Sequence, residues 1–127
     1  MEPDVDNVTI RAANQRFYDA HENRDLAAME AIWEHSERIV CIHPGWPILR
    51  GWRDVMASWQ RILAGPARNQ FILTNLEVGV DGDLGWVTLD ENLMDGPATS
   101  TVAATNLFIR DGTEWRMIHH HGSPVMR

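Results

Sequence analysis

Apolar side chains recur every three or four positions in three stretches of this chain and take on extended, alternating character in five others. From Asn7 to about Asn23, Ile10, Ala13, Phe17 and Ala20 trace one face of an amphipathic helix, with Asp6 or Asn7 as its N-cap. A shorter helix follows Asp25, with Leu26, Met29, Ile32 and Trp33 as its buried face. Glu22-Asn23-Arg24 leaves only a short turn, so the two helices form a hairpin. Glu37 to His43 is strand-like through Ile39, Val40, Cys41 and Ile42, and Pro44-Gly45-Trp46-Pro47 ends it. Trp52, Val55, Met56, Trp59, Ile62 and Leu63 then mark a helix from Gly51 to about Leu63, which Gly65-Pro66 stops.

Four strands complete the chain: Phe71 to Val80, Gly85 to Met94, Thr99 to Arg110 and Glu114 to Ser123. Asp81-Gly82-Asp83, Asp95-Gly96-Pro97 and Asp111-Gly112 supply the turns between them. The order α-α-β-α-β-β-β-β predicts an α+β fold, a four-stranded meander and one extra strand with helices on one face. Residues 1–127 are expected to form one domain.

Strand alternation divides each strand into two sets. Val87, Leu89, Glu91 and Leu93 are expected to face the helices, as are Ala103, Thr105, Leu107 and Ile109. The opposite sets, Trp86, Thr88, Asp90, Asn92 and Val102, Ala104, Asn106, Phe108, mix aromatic and polar residues and suit an outer, subunit-facing surface. In the last strand, matching Ile118 to the aliphatic sets turns Arg116 and His120 inward. Trp115, Met117, His119 and His121 then lie outside, an assignment that a β-bulge would invert.

Composition narrows the partners. Eleven basic against eighteen acidic residues give a net charge of −7, which repels nucleic-acid phosphates. No apolar run reaches membrane-spanning length. The acidic opening Met1-Glu2-Pro3-Asp4-Val5-Asp6 lacks the regions of a secretory signal, so the expected setting is cytoplasmic. Cys41 is the lone cysteine and reads as a small buried residue. Six tryptophans beside a single tyrosine point to a lined cavity or a large subunit contact.

Three features carry candidate chemistry. His43, beside the Pro-Gly-Trp-Pro turn, suits a general acid or base at a cavity rim, or a hydrogen bond to the turn backbone. Glu91 is an acid in an aliphatic inward set, so it must be paired, hydrogen-bonded or protonated. His120, His43 or Arg116 are its expected partners, in a proton-transfer dyad or in a salt bridge within the sheet. His119 and His121 share a face and have a spacing seen in zinc sites, and Asp90 on the same sheet face could supply a third ligand, but no Cys/His pair at ligand spacing exists elsewhere. No metal or cofactor is therefore expected; the two histidines suit cross-strand pairing at a subunit interface with Asp90, Asn92 or Asn106. A Ser123-His121-Asp90 triad lacks a nucleophile elbow. Tyr18, Trp33, Trp46 and Trp59 are the candidate ligand-lining aromatics, Trp46 because a loop presents it.

The order of elements resembles the nuclear-transport-factor-2-like superfamily, and within it the SnoaL-like group. The closing Trp115 to Pro124, with its His119-x-His121-x-Ser123 core, is also similar to the association domain of calcium/calmodulin-dependent kinase II. The resemblance implies a cystatin-like cone in which a strongly curved antiparallel sheet wraps the helices and leaves a pocket at its open end. It further implies a small-molecule pocket protein for an apolar ligand: a cofactor-independent isomerase, dehydratase or cyclase acting on a carbonyl compound, with His43, Glu91 and His120 as acid–base groups. The alternative is a non-catalytic ligand-binding or oligomerisation module. Either version is expected to form a homodimer through its outer sheet face. Ketosteroid isomerase uses a carboxylate base in this superfamily, though no residue here aligns with that base or with its oxyanion donors. Function therefore rests on the site.

Overall fold

The computed structural model describes residues 4–95 and 98–126. Helix α1 spans Val5–Glu22, earlier than Asn7, because Asp4 and not Asp6 or Asn7 is its cap. The Asp4 carboxylate accepts from the backbone N–H groups of Asp6 at 3.1 Å and Asn7 at 3.3 Å. Helix α2, Leu26–Ile32, is capped by Asp25 as expected, through the Ala28 N–H at 3.0 Å. Arg24, in the left-handed region at φ 55°, reverses the chain between them. Its guanidinium donates to the Leu63 carbonyl at 2.9 Å, so the hairpin also closes the end of α3.

Strand β1 is Val40–Ile42, shorter than the expected Glu37 to His43, and β2, Leu49–Arg50, is a short strand that the apolar pattern does not announce. Helix α3, Gly51–Ala64, starts directly from β2. Gly51 has φ +84°, a left-handed conformation that favours glycine, whereas a Cβ there would displace only the end of the exposed Glu37 side chain.

Strands β3 (Gln70–Asp81), β4 (Leu84–Asp95), β5 (Ala98–Asp111) and β6 (Glu114–Pro124) form the expected meander. Gly96 and Pro97, from the expected turn after β4, lie outside the described residues, as does the opening Met1–Pro3. The six strands are ordered β2-β1-β6-β5-β4-β3. The crossover from β1 brings it parallel to β6, with Cys41 opposite His120.

The three helices pack against one face of this sheet, around Ile10, Phe17, Met29, Trp33, Trp59, Val87, Phe108, Trp115 and Met117. Fully burying side chains of this size contributes roughly 1.5–3 kcal/mol each. No helix among the described residues is long and apolar enough to cross a membrane.

The expected facing of β4 holds: Val87, Leu89 and Glu91 are buried. That of β5 is reversed. Val102, Ala104, Asn106 and Phe108 are inside, whereas Ala103, Thr105, Leu107 and Ile109 lie on the other face. Register explains this, because Val87 pairs with Asn106 and Leu89 with Ala104, and paired residues share a face. In β6 a bulge intervenes: Phe108 pairs with Met117 and Leu107 with His119, leaving Ile118 as the extra residue. Trp115 and Met117 are therefore buried, contrary to expectation, and the phase changes at Ile118 so that His120 is buried too. His120 points inward because of the bulge, not because it follows Ile118 in phase.

Candidate functional site

The polar groups that the fold buries converge on one interior cluster. Glu91 from β4 is 5% exposed, and His43 after β1 and His120 in β6 are each 4% exposed. Around them lie buried Asn14 and Tyr18 from α1, Ser58 from α3 and Asn106 from β5. Asn14 and Tyr18 follow Ile10 at four-residue intervals, so one helical stripe delivers both to the sheet.

Glu91 bonds neither His120, His43 nor Arg116. Its partner is Tyr18, whose hydroxyl donates to Glu91 Oε2 at 2.5 Å. Asn106 is the hub of the remaining bonds. Its Nδ2 donates to Asn14 Oδ1 at 2.8 Å and to Tyr18 Oη at 3.2 Å. With both amide hydrogens committed, Oδ1 is the acceptor, and it lies 2.6 Å from His120 Nδ1. His120 thus carries its proton on Nδ1, and no hydrogen-bond partner meets Nε2 among the described residues.

His43 occupies a second, adjoining group. Ser58 donates its only hydroxyl hydrogen to the Val55 carbonyl at 2.7 Å. His43 Nε2, 2.8 Å from Ser58 Oγ, is therefore the donor in that pair. The turn-backbone role expected for the imidazole goes to its main chain, whose carbonyl accepts from the Trp46 N–H at 2.8 Å.

Aromatic rings enclose the cluster. Trp59 stands between His43, at 4.7 Å, and His21, at 5.1 Å, with Phe17 at 5.4 Å. Phe17 also lies 4.8 Å from His120, and Trp46 covers His43 at 4.8 Å. Trp33 is fully buried 6.4 Å from Phe17, in the core beside the cluster. The indole N–H groups of Trp33 and Trp59 meet no nitrogen or oxygen acceptor among the described residues.

Burial sets the electrostatics. Removal from water pushes the Glu91 carboxyl up to about 7, although the Tyr18 hydrogen bond pulls the other way. The same desolvation, with Glu91 nearby, raises Tyr18 well above its usual range, so it stays a neutral donor. Desolvation lowers His43 and His21 to about 4 each and takes His120 well below its ordinary value. The cluster near neutral pH therefore holds one half-ionised carboxyl among neutral imidazoles. Cys41 is buried with its thiol raised by desolvation, which makes it inert and not a nucleophile.

Sequence reasoning missed Asn14, His21, Ser58 and Asn106. Asn14 was visible as a polar position in the apolar stripe of α1, whereas Asn106 was assigned to the outer face with its whole set. His119 and His121 are outside the cluster. His121 borders an outer-face groove of about 380 Å³ with Asn75, Asp90, Thr105 and Ser123. No group of three ligating side chains able to hold a metal occurs among the described residues. Asp90 accepts from Asn75 at 3.4 Å, and among the described residues no hydrogen bond joins His121 to Asp90 or to Ser123, so the three do not form a hydrogen-bonded triad. Another groove, of about 610 Å³, runs between the helices and the start of β6, past Arg16, Ala28 and Trp115.

A SnoaL-like domain matches residues 10–127. The chain belongs to the SnoaL-like family. Within its wider fold group, a candidate dehydratase of the NTF2-like family from Streptomyces avermitilis is 36% identical. That structure superposes with a TM-score of 0.91, over 99% of this SnoaL-like chain and 100% of the other. A candidate calcium/calmodulin-dependent protein kinase type II association domain from Thiobacillus denitrificans is 32% identical, with a TM-score of 0.86 over 93% and 96% of the two chains. A cystatin-like protein from Nostoc punctiforme, 14% identical with a TM-score of 0.80 over 98% and 96%, shares the fold alone. The F-box protein SKIP8 of Arabidopsis thaliana is 29% identical over 119 residues, which are 92% of this chain and 50% of that protein. The SnoaL-like chain thus spans about half the length of this curated relative.

Proposed function

We propose that this SnoaL-like protein is a cofactor-independent proton-transfer enzyme, a lyase or isomerase acting on a small apolar carbonyl compound. The observation that carries the proposal is Glu91: a buried carboxyl held by the Tyr18 hydroxyl at 2.5 Å and titrating at about 7. Such a group is present as base and as acid in comparable amounts at neutral pH, the condition under which one carboxyl both removes and returns a proton. Tyr18 fixes Oε2, which leaves Oε1 as the oxygen that meets the carbon-bound proton next to the substrate carbonyl. His43 and His120 are too weakly basic to compete for that proton and serve to orient the substrate. Trp46 and Trp59 enclose it, and Trp33 backs the wall from the core. The likeness to the Streptomyces avermitilis dehydratase candidate, at 36% identity over nearly the whole chain, supports a lyase.

We further propose a cytoplasmic homodimer joined through the outer sheet face, where Trp86 lies partly exposed against Gly79 of the neighbouring strand. A second role, as a non-catalytic assembly module, draws its support from the 32% identity to the kinase association-domain candidate. One exchange experiment separates the two. The probe is 2-tetralone, an apolar ketone with acidic α-protons, followed by proton NMR in heavy water. The wild-type protein is expected to accelerate α-deuteration and Glu91→Gln to abolish the acceleration. Exchange at the buffer rate with wild-type protein refutes the enzyme proposal and leaves the assembly role.

A further inference from the structure

The polar groups of the interior cluster are shut off from solvent. Glu91, His43 and His120 are at most 5% exposed, and the two grooves described above are lined by other residues. A ligand reaches them only when a covering segment moves. The weakest part of the cover is the connection from α3 to β3, Gly65-Pro66-Ala67-Arg68-Asn69, in which Pro66, Ala67 and Arg68 are exposed. Among the described residues, no backbone hydrogen bond outside the helices and strands holds residues 66–69. Two side chains fasten the segment instead. The Arg24 guanidinium donates to the Leu63 carbonyl at 2.9 Å and to the Gly65 carbonyl. Asn69 Nδ2 donates to His21 Nε2 at 3.2 Å. A surface segment with so few bonds belongs to the least stable part of a fold and opens before the rest. Behind it stand aromatic rings. His21 is 5.1 Å from Trp59 and 4.8 Å from Phe71. Trp59 is in turn 4.7 Å from His43, and Phe71 is 5.5 Å from Tyr18, the partner of Glu91. Trp46, which also covers His43, is better secured: its N–H bonds the His43 carbonyl at 2.8 Å, and Pro44 and Pro47 stiffen the turn.

We infer that residues 65–69 are a strap that opens and closes the passage to the interior cluster, with Arg24 and Asn69 as its two fastenings. The inference rests on the proposed function only in taking the cluster as the ligand's destination. Opening breaks the Arg24 bond to Gly65 and the Asn69 bond to His21, and leaves the helices and the sheet intact. It also frees the His21 ring, whose Nε2 has no other partner among the described residues. Both anchors lie where α1 turns into α2, so this one corner of the molecule controls the strap. Arg24 holds φ 55°, a left-handed conformation that is costly for any residue but glycine. Glycine at this position would therefore relax the turn while removing the fastening.

The chain carries its own reporter. Cys41 is its single cysteine, is buried, and has its Sγ 3.6 Å from His43 Nε2, so a reagent that modifies it has reached the cluster. The full chain is treated with methyl methanethiosulfonate at pH 8, and the modified fraction is followed by mass spectrometry at urea concentrations below the unfolding transition. Wild-type Cys41 should react at a rate that hardly changes with urea, because opening a strap exposes little surface. Arg24→Gly should react about tenfold faster, the effect of one lost charge-assisted hydrogen bond, with an unfolding midpoint close to that of the wild type. Asn69→Ala should react about fivefold faster, and it gives the same reading if Arg24→Gly folds poorly. A wild-type rate that rises with urea as steeply as global unfolding overturns the inference. So do strap variants that react at the wild-type rate, or acceleration by Trp46→Ala alone, which would place the entrance at the Pro44–Pro47 turn. The labelling involves no turnover. Exchange of 2-tetralone at the buffer rate would therefore refute the enzyme and leave the strap standing, and unaccelerated labelling would do the reverse.

Discussion

Replacing Glu91 by glutamine should stabilise the protein, and by an amount that depends on pH. Glutamine is nearly isosteric and its oxygen accepts the Tyr18 hydroxyl hydrogen, so the change chiefly removes the ionisable group. The Glu91 carboxyl titrates at about 7 in the folded protein against 4.5 when unperturbed. Its folded-state value is raised, so the folded state binds the proton more tightly than the unfolded chain does. Wild-type stability from this group is therefore complete below about pH 4.5 and is lost as pH rises through about 7. The gap corresponds to about 3 kcal/mol between the two plateaus. Urea unfolding of both proteins from pH 4.5 to 8.5 should show a small, constant difference at the acid end. Glu91→Gln should then gain about 3 kcal/mol at the alkaline end, or roughly 10 °C in Tm for a chain of this size. Taking the difference between the two proteins cancels every other titrating group. A gap that does not change with pH would refute the buried, poised state of Glu91, and an acid-side gain would reverse its sign.

Proton transfer to and from carbon should speed up as pH rises and level off above about 7, as Glu91 ionises; a rate of 2-tetralone exchange that falls over this range would exclude Glu91 as the base. In the Glu91→Gln background, stability should fall as pH drops from 6.5 through about 4, because His43 and His21 stay neutral in the fold and take up protons on unfolding; urea midpoints that do not move would contradict this. Asn106→Leu should cost about 2–4 kcal/mol in urea unfolding, since it strands His120 Nδ1 and leaves Asn14 and Tyr18 short of a partner; a loss below about 1 kcal/mol would show that the hub is replaced by water. For the homodimer proposed through the outer sheet face, wild-type protein should sediment as a dimer and Trp86→Glu as a monomer; an unchanged dimer would move the interface off that face.

The two faces of the sheet show where sequence reasoning stopped. Glu91 could be placed inside because it alternates with Val87 and Leu89, and nothing interrupts β4 between them. Leu107 and Ile109 look more like core than Asn106 does, yet the β4–β5 register puts Asn106 beside Val87. Aliphatic character on one strand was a weaker guide than pairing with its neighbour. In β6 the single extra residue at Ile118 changes the phase, so Trp115 and His120 share the interior although they are five positions apart. His120 was placed on the correct side from the wrong premise.

The sequence by itself determined the α+β class, the order of the three helices and of the four meander strands, the Asp25 cap, the Asp81-Gly82-Asp83 and Asp111-Gly112 turns, and the burial of Glu91. These depend on helical or strand periodicity and on residues within a few positions of one another. Only the tertiary structure decided whom the buried groups meet. Tyr18 reaches Glu91 across 73 residues and Asn106 reaches Asn14 across 92. Such partnerships depend on register, one bulge and the docking of α1 on the sheet. No local pattern encodes them, because a one-residue slip leaves the propensities of a strand unchanged while exchanging every side chain between interior and surface.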